Sequence, residues 1–198
     1  NIYFEGTPIP KDEMIRIVRE TDFQALPENM REAAREAVDT LLHSGDGQLC
    51  DVIIDRAALE AILEAGNRSK AAIIRDYAES TVAVANIKIA VRCCKTGKSL
   101  EFMKRAMAPC KTLNVERLAH AALAGMDSIM EYLSGAGYAE AADAIKESPS
   151  AFERWCDNRI IETIKPQKTN PFSVGPLVAY VIARQNEIKT VRIILTCK

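Results

Sequence analysis

The stretch GPLVAYVIARQNEIKTVRIIL, residues 175–195, predicts a long helix, because apolar side chains recur every three or four positions. Pro176 suits the first helical position, and the apolar face that follows is wide. Its members are Leu177, Tyr180, Val181, Ile188, Val191, Ile194 and Leu195. Since Val178 and Ile182 extend the apolar surface around the first turns, we expect this helix to begin deeply buried.

Part of this stretch repeats an earlier one. NEIKTVR at residues 186–192 resembles NIKIAVR at residues 86–92, which pairs Asn86 and Arg92 with Asn186 and Arg192. Flanking helical segments recur in the same order at nearly the same offset, so the sequence predicts two similar helical lobes. A period of about 100 residues exceeds the roughly 20 to 50 of short solenoid repeats. Six residues along a helix turn it by about 600°, so the Asn and the Arg of each pair face different directions and act through tertiary contacts.

The composition favours helices over sheets. Among 198 residues, 48% are apolar, 27% are charged and only 6% are aromatic. A chain of this length buries roughly 70% of its unfolded surface, enough for a substantial core. We therefore predict an all-α protein, with one helical lobe at residues 7–110 and a second, similar lobe at residues 111–198.

The sequence also predicts where helices of the first predicted lobe begin and end. The loop from Ser44 to Gly47 stops one helix, and Asp55 is predicted to begin the next. Gly66 is predicted to end that helix, and Ser69 to begin a longer one that closes at Gly97. The first six residues, NIYFEG, resemble a protease site used to remove purification tags and are left out of the fold prediction.

The sequence lacks the residues that several classes of function require. The net charge of -1 disfavours nucleic acid as a partner, and the longest apolar run is about half of the roughly 20 residues of a membrane-spanning helix. The six cysteines show no CxxC spacing and lie far in sequence from the two histidines, so no metal or other cofactor is predicted. Neither His43 nor His120 belongs to a nucleophile and base arrangement, and no phosphate-binding loop occurs. An enzyme is the least favoured class.

Charge is unevenly distributed along the chain. Residues 12–64 contain thirteen acidic and five basic residues, whereas residues 88–117 contain eight basic and two acidic residues. Two solvated faces explain such a pattern most simply. A dipolar surface that orients docking in a larger assembly is the sharper interpretation.

The residues also resemble a known family. The segment from Phe172 to Lys198, with GPLVAY followed by ARQNEIKTVRIIL, is similar to the C-terminal signature of the C subunit of the V/A-type rotary ATPases, which corresponds to the d subunit of the eukaryotic enzyme. DVIIDR at 51–56 and NIKIAVR at 86–92 resemble internal copies in that family. The resemblance implies a fold of three similar three-helix lobes arranged as a funnel. This sequence is expected to be a fragment that lacks the N-terminal lobe and the last C-terminal helix.

The resemblance further implies a mechanical role. Members of that family couple the membrane proteolipid ring to the central stalk during proton or sodium transport, and they are non-catalytic. The implied partners are the proteolipid ring and the central-stalk subunits, and the implied location is the cytoplasmic face of the membrane, as a peripheral protein. A free-standing helical adaptor unrelated to rotary motors remains the alternative.

Polar residues of the signature and of its earlier copy are the candidate contacts. They are expected to form an interface with a partner or to fix the packing of the lobes, and an internal hydrogen-bond network is the simpler explanation. The candidates are Asn86, Arg92, Tyr180, Arg184, Asn186, Glu187 and Arg192.

Overall fold

A computed structural model describes residues 7–165 and 173–196, apart from the side chains of Ile164 and Ile193. The first six residues and the two C-terminal residues lie outside this range. Ten α-helices are described, and no strand occurs in these two ranges, so the predicted all-α class is confirmed. The helices are α1 Lys11–Glu20, α2 Glu28–Ser44, α3 Gly47–Arg68, α4 Ala72–Thr96, α5 Leu100–Ala106, α6 Val115–Ala124, α7 Met126–Gly135, α8 Ala139–Glu147, α9 Pro149–Ile164 and α10 Gly175–Thr196.

The chain forms two compact units, of which the first ends at Ala58. Its core contains Ile17 of α1 together with Phe23 and Leu26, which lie in and beside a short 3-10 helix at Phe23–Ala25. α2 starts directly after Pro27 and is closed by Gly45, within the loop from Ser44 to Gly47 that was predicted to stop it. Gly45 has φ 67°, a left-handed conformation that glycine adopts without the steric cost of a Cβ atom.

α3 begins eight residues before the predicted start at Asp55. The carboxylate of Asp46 accepts hydrogen bonds from the backbone N–H groups of Gln48 at 2.9 Å and Leu49 at 3.1 Å. These contacts satisfy amides that have no partner within the helix, so the helix starts directly after Asp46. The prediction was wrong because the Gly-Asp-Gly sequence was interpreted only as a stop signal.

Gly66 lies within α3 and does not end it. A Cβ atom at this position would lie 2.3 Å from the Cβ atom of Ala78 in α4, much closer than two carbon atoms can approach. The absent side chain therefore allows α3 and α4 to pack with their backbones close together. The glycine serves helix packing here, a role that its position in the sequence alone does not distinguish from a helix stop.

The second unit begins at Leu59 and is organised around α4. α4 packs against α5, α6, α7, α9 and α10. It closes at Gly97 as predicted, with φ 63° at that glycine, but it starts at Ala72 and not at Ser69. One large core cluster joins its inward side chains to those of α5–α9, and its most buried large members are Ile87, Met103, Leu118, Ile129, Leu133 and Cys156.

The helices around α4 are capped by side chains that their sequences provide. Ser99, Asn114 and Ser148 accept hydrogen bonds from backbone N–H groups in the first turns of α5, α6 and α9 respectively. Such caps favour these residues as helix starts. The division into lobes at residue 110, and the expected repetition of one lobe by the other, remain predictions.

α10 is much more exposed than its sequence suggests. Among the described side chains of α10, those of Ala179 and Ile182 are buried, in a small cluster with Ile73 of α4. The expected burial of its first turns was therefore wrong for Leu177 and Tyr180, which are 66% and 63% exposed. An apolar periodicity predicts that a face is suited to burial, but it does not specify whether the same chain supplies the covering surface.

Candidate functional site

Asn86 holds the loop between α5 and α6. Its side chain is completely buried, and its Nδ2 group donates to the carbonyl of Ala108 at 2.7 Å. The N–H of Ala108 donates back to Oδ1 of Asn86 at 3.0 Å, and Nδ2 also lies 3.6 Å from Sγ of Cys110. A single amide thus satisfies both backbone polar groups of a fully buried residue.

Glu79 holds the next part of the same loop. Its Oε1 atom accepts hydrogen bonds from the backbone N–H groups of Lys111 and Thr112, each at 2.7 Å, and from the Thr112 hydroxyl at 2.9 Å. Glu79 stands seven residues before Asn86, so the two side chains project from the same face of α4. We refer to Glu79 and Asn86, together with the loop Met107–Asn114 that they hold, as the α4 clasp.

Two tyrosines complete the attachment of this loop. The Tyr138 hydroxyl donates to the Thr112 hydroxyl at 2.8 Å, while the Tyr132 hydroxyl accepts from the N–H of Asn114 at 2.8 Å and donates to its carbonyl at 3.0 Å. Burial raises the pKa of both tyrosines, so both phenols remain protonated at neutral pH. The loop is therefore fixed by side chains from three directions.

Glu79, Tyr132 and Tyr138 were not among the predicted candidates. A sequence signal for Glu79 does exist, since it is an acidic residue two turns before the predicted Asn86 and on the same face of the helix. The tyrosines carry no comparable signal, because only the folded chain brings them to the loop. The four side chains that hold the loop, those of Glu79, Asn86, Tyr132 and Tyr138, all lie within the second unit.

The predicted residues of α10 lie mainly on its exposed side. Tyr180, Arg184, Glu187 and Arg192 are exposed, and Asn186 is half-buried. Arg184 forms an ion pair with Glu187 on the next turn of the helix. On the opposite side of α10, Lys189 contacts Asp157 of α9 at 2.5 Å. Among the predicted residues of α10, the structure therefore brings Arg184 and Glu187 together. The predicted residues of α10 lie far in sequence from the α4 clasp.

The two repeated pairs occupy different environments. In each pair the Asn is more buried than the Arg, in agreement with the different helical faces expected from their spacing. Asn86, however, makes a buried network, whereas no hydrogen bond from the Asn186 side chain occurs within the described residues. The similar sequences thus carry different contacts.

The basic segment at residues 88–117 is largely accessible. Arg92, Lys95, Lys104, Lys111 and Arg117 are exposed. Lys88 instead forms an ion pair with Glu153 of α9 at 2.5 Å. These cations lie at the end of α4, on α5 and α6, and in the loop between them, and they outnumber the exposed acids Glu101 and Glu116, of which Glu116 pairs with Lys104 at 3.6 Å. This part of the surface therefore has an excess of positive charge.

The cysteines of the described residues are reduced. Burial raises the pKa of Cys156 to about 12, and it also raises the pKa of Cys93 and Cys110. These thiols therefore stay protonated and poorly nucleophilic at neutral pH. Within residues 7–165 and 173–196, the structure contains no cluster of three metal-ligating side chains, and none of the described helices is long and apolar enough to span a membrane.

Comparison with known proteins identifies the family. The model of the ATP synthase (C/AC39) subunit family matches residues 2–198, nearly the whole chain. The chain belongs to this family. The family assignment agrees with the resemblance carried by the C-terminal signature.

Two relatives of this chain are described as the C subunit of an A-type ATP synthase. The protein from Methanocaldococcus jannaschii is 28% identical over 139 residues, which cover 64% of this chain and 34% of the relative. The protein from Desulfurococcus sp. (strain SY) is 29% identical over 128 residues, covering 62% of this chain and 34% of the relative. The chain thus spans about a third of the length of these curated relatives. No solved structure gives a significant match.

Proposed function

We propose that this chain acts as a non-catalytic coupling element of a V/A-type rotary ATPase. In this role it would link the membrane proteolipid ring to the central stalk during proton or sodium transport, as a peripheral protein at the cytoplasmic face. The observation that carries the proposal is the family match over residues 2–198. Two relatives whose descriptions name the C subunit of an A-type ATP synthase support it.

The structure of the second unit is consistent with a mechanical role. A coupling element must transmit force without deforming, which requires helices whose connections cannot move independently. α4 provides a 25-residue axis, and the α4 clasp fixes the loop between α5 and α6 to it. The fixed loop and the large core around it supply stiffness within this unit.

The proposed contact residues are those that combine exposure with charge. Arg92 at the end of α4 and Arg184 on α10 are exposed, so a partner can reach both. Asn86 instead contributes internal packing through its bonds to Ala108. We propose that the exposed arginines contact partner subunits, and that Asn86 supports their presentation.

Binding to purified components tests the proposal. The chain, with the full-length Methanocaldococcus jannaschii relative for comparison, is measured against a detergent-solubilised proteolipid ring and against the central-stalk subunits at low and moderate salt. We expect binding that weakens as salt is added, because exposed charges are screened. Arg92→Ala and Arg184→Ala should each weaken it, whereas Lys146→Ala, which changes an exposed cation of α8, should not.

Two results would contradict the proposal. Binding of both components by the relative and of neither by this chain would show that the chain lacks the coupling role. Equal effects of all three substitutions would show that general charge, and not the proposed residues, accounts for binding. A free-standing adaptor predicts that the chain binds neither rotary component.

A further inference from the structure

A cavity lies between α6 and α7 and opens to solvent. Its volume is about 640 Å³, within the range of roughly 300–1,000 Å³ that small-molecule sites occupy. Thr112 and Asn114 of the clasp loop form one end of it. Since Glu79 holds Thr112 and the Tyr132 hydroxyl holds Asn114, this end of the cavity is formed before any ligand arrives.

The two helices line this cavity with opposite charges. α6 contributes Arg117 and His120, which stand three residues apart and therefore share one face of the helix. α7 contributes Ser128 and Glu131 with the same spacing. The α6 wall thus offers a guanidinium and an imidazole, and the α7 wall offers a hydroxyl and a carboxylate.

The fold itself leaves these polar groups unused. Among the residues that the structure describes, the side chains of His120, Ser128 and Glu131 form no hydrogen bond or ion pair. Arg117 forms no ion pair within the same ranges, although Glu131 lines the same cavity.

A fixed aromatic ring positions the guanidinium of Arg117. Its Cζ atom lies 5.8 Å from the centre of the Tyr132 ring. The Tyr132 hydroxyl is bound to both backbone polar groups of Asn114, so the ring cannot move freely. A guanidinium that rests on an aromatic face keeps its N–H groups available, and their planar arrangement matches a carboxylate.

Charge complementarity determines which ligand suits both walls. A ligand with only a carboxylate would bring a second negative charge towards Glu131, and a ligand with only an ammonium group would bring a positive charge towards Arg117. A zwitterion avoids both repulsions. Its carboxylate can accept hydrogen bonds from Arg117 and His120, while its ammonium group can donate to Glu131 and Ser128.

We propose that the cavity between α6 and α7 binds a small zwitterionic ligand of the amino-acid class. Arg117 binds the carboxylate of this ligand, and Glu131 binds its ammonium group. This inference rests on the geometry and charge of the cavity and does not depend on the proposed coupling role.

Zwitterions of different length test the proposal. Glycine, 4-aminobutyrate and 6-aminohexanoate differ in the separation of their charges, and each is compared with the alkanoate and the alkylamine of the same chain length. Binding to the whole chain is measured by NMR titration at low ionic strength, where exposed charges are least screened. We expect at least one zwitterion to bind at least about fivefold more tightly than its two singly charged analogues.

Matched variants assign the two ends of the ligand. Arg117→Gln and Glu131→Gln should each weaken binding of the tightest zwitterion at least about fivefold. In the Glu131→Gln variant the alkanoate should bind as tightly as the zwitterion, because the negative wall is removed. The controls Lys146→Gln and Glu140→Gln change exposed charges of α8 and should leave every affinity unchanged. Circular dichroism checks that each variant keeps its helices.

Three outcomes would overturn the proposal. Failure of all three zwitterions to bind would show that the cavity is not a site for this class of ligand. An alkanoate that binds the wild-type chain as tightly as its zwitterion would show a site for carboxylates from any source, including an acidic side chain of another protein. Unchanged affinity in the Arg117→Gln variant would place the binding elsewhere on the chain.

Discussion

Replacement of Asn86 by alanine should destabilise the second unit strongly. The substitution leaves the N–H and the carbonyl of Ala108 without partners, and Ala108 is itself completely buried. An unsatisfied buried polar group costs about 1–3 kcal/mol, and the space vacated by the amide adds a smaller term. We therefore expect the free energy of unfolding to fall by about 3–5 kcal/mol.

Urea denaturation followed by Trp155 fluorescence measures this change. Trp155 is the single tryptophan, and it packs against the core that surrounds Asn86. For an m value of about 2 kcal/mol/M, the loss corresponds to a decrease of about 2 M in the midpoint. Asn186→Ala is the matched control, because Asn186 is the repeat equivalent but makes no side-chain hydrogen bond within the described residues. It should cost less than about 1 kcal/mol.

Two results would refute this reasoning. A loss of less than about 1 kcal/mol for Asn86→Ala would show that water or a backbone shift satisfies Ala108. Equal losses for both variants would show that the two Asn residues have equivalent roles, contrary to their different contacts. The change Asn86→Asp adds a second comparison, since it keeps an acceptor for the Ala108 N–H but places a negative charge against the Ala108 carbonyl.

Three further changes test other parts of the structure. Glu79→Ala should lower stability by about 1.5–3 kcal/mol, as expected for loss of hydrogen bonds to a charged group, and should accelerate amide hydrogen exchange in the loop it holds. Gly66→Ala should lower the free energy of unfolding by about 1–3 kcal/mol in thermal unfolding, because the new methyl group would overlap Ala78. Gly135→Ala is the control, since a Cβ atom there meets open space, and it should be neutral or slightly stabilising. Since burial raises the pKa of Cys156 from 9.0 to about 12, the folded state retains a proton that the unfolded state loses. The thiol's contribution to stability is therefore complete below about pH 9 and falls by about 1.4 kcal/mol per pH unit up to about pH 12, a slope that Cys156→Ala should remove in pH-dependent urea titrations. A slope unchanged by that substitution, unaltered loop exchange, or equal effects of the two glycine changes would each contradict the corresponding prediction.

Local signals predicted the class and some of the helix ends. The all-α class follows from composition and periodicity, and the loop from Ser44 to Gly47 and Gly97 end helices where predicted. The start of α3 was missed because Asp46 can either interrupt a chain or cap a helix, and the choice depends on the backbone that follows. The residues that carry the family resemblance were found in the C-terminal signature, whereas Glu79 was found only through its contacts with the loop.

The sequence by itself determined that the chain is helical, that it repeats a motif, and to which family it belongs, because these properties depend on residue order and spacing. Only the tertiary structure decided the uses of the repeated residues. Asn86 closes an internal network, whereas the Asn186 side chain has no hydrogen bond among the residues that the structure describes, because a hydrogen bond requires a partner that folding brings within about 3 Å. In the same way, periodicity defined the apolar face of α10, but packing decided that the side around Ala179 and Ile182 is buried while Leu177, Ile188 and Leu195 stay exposed.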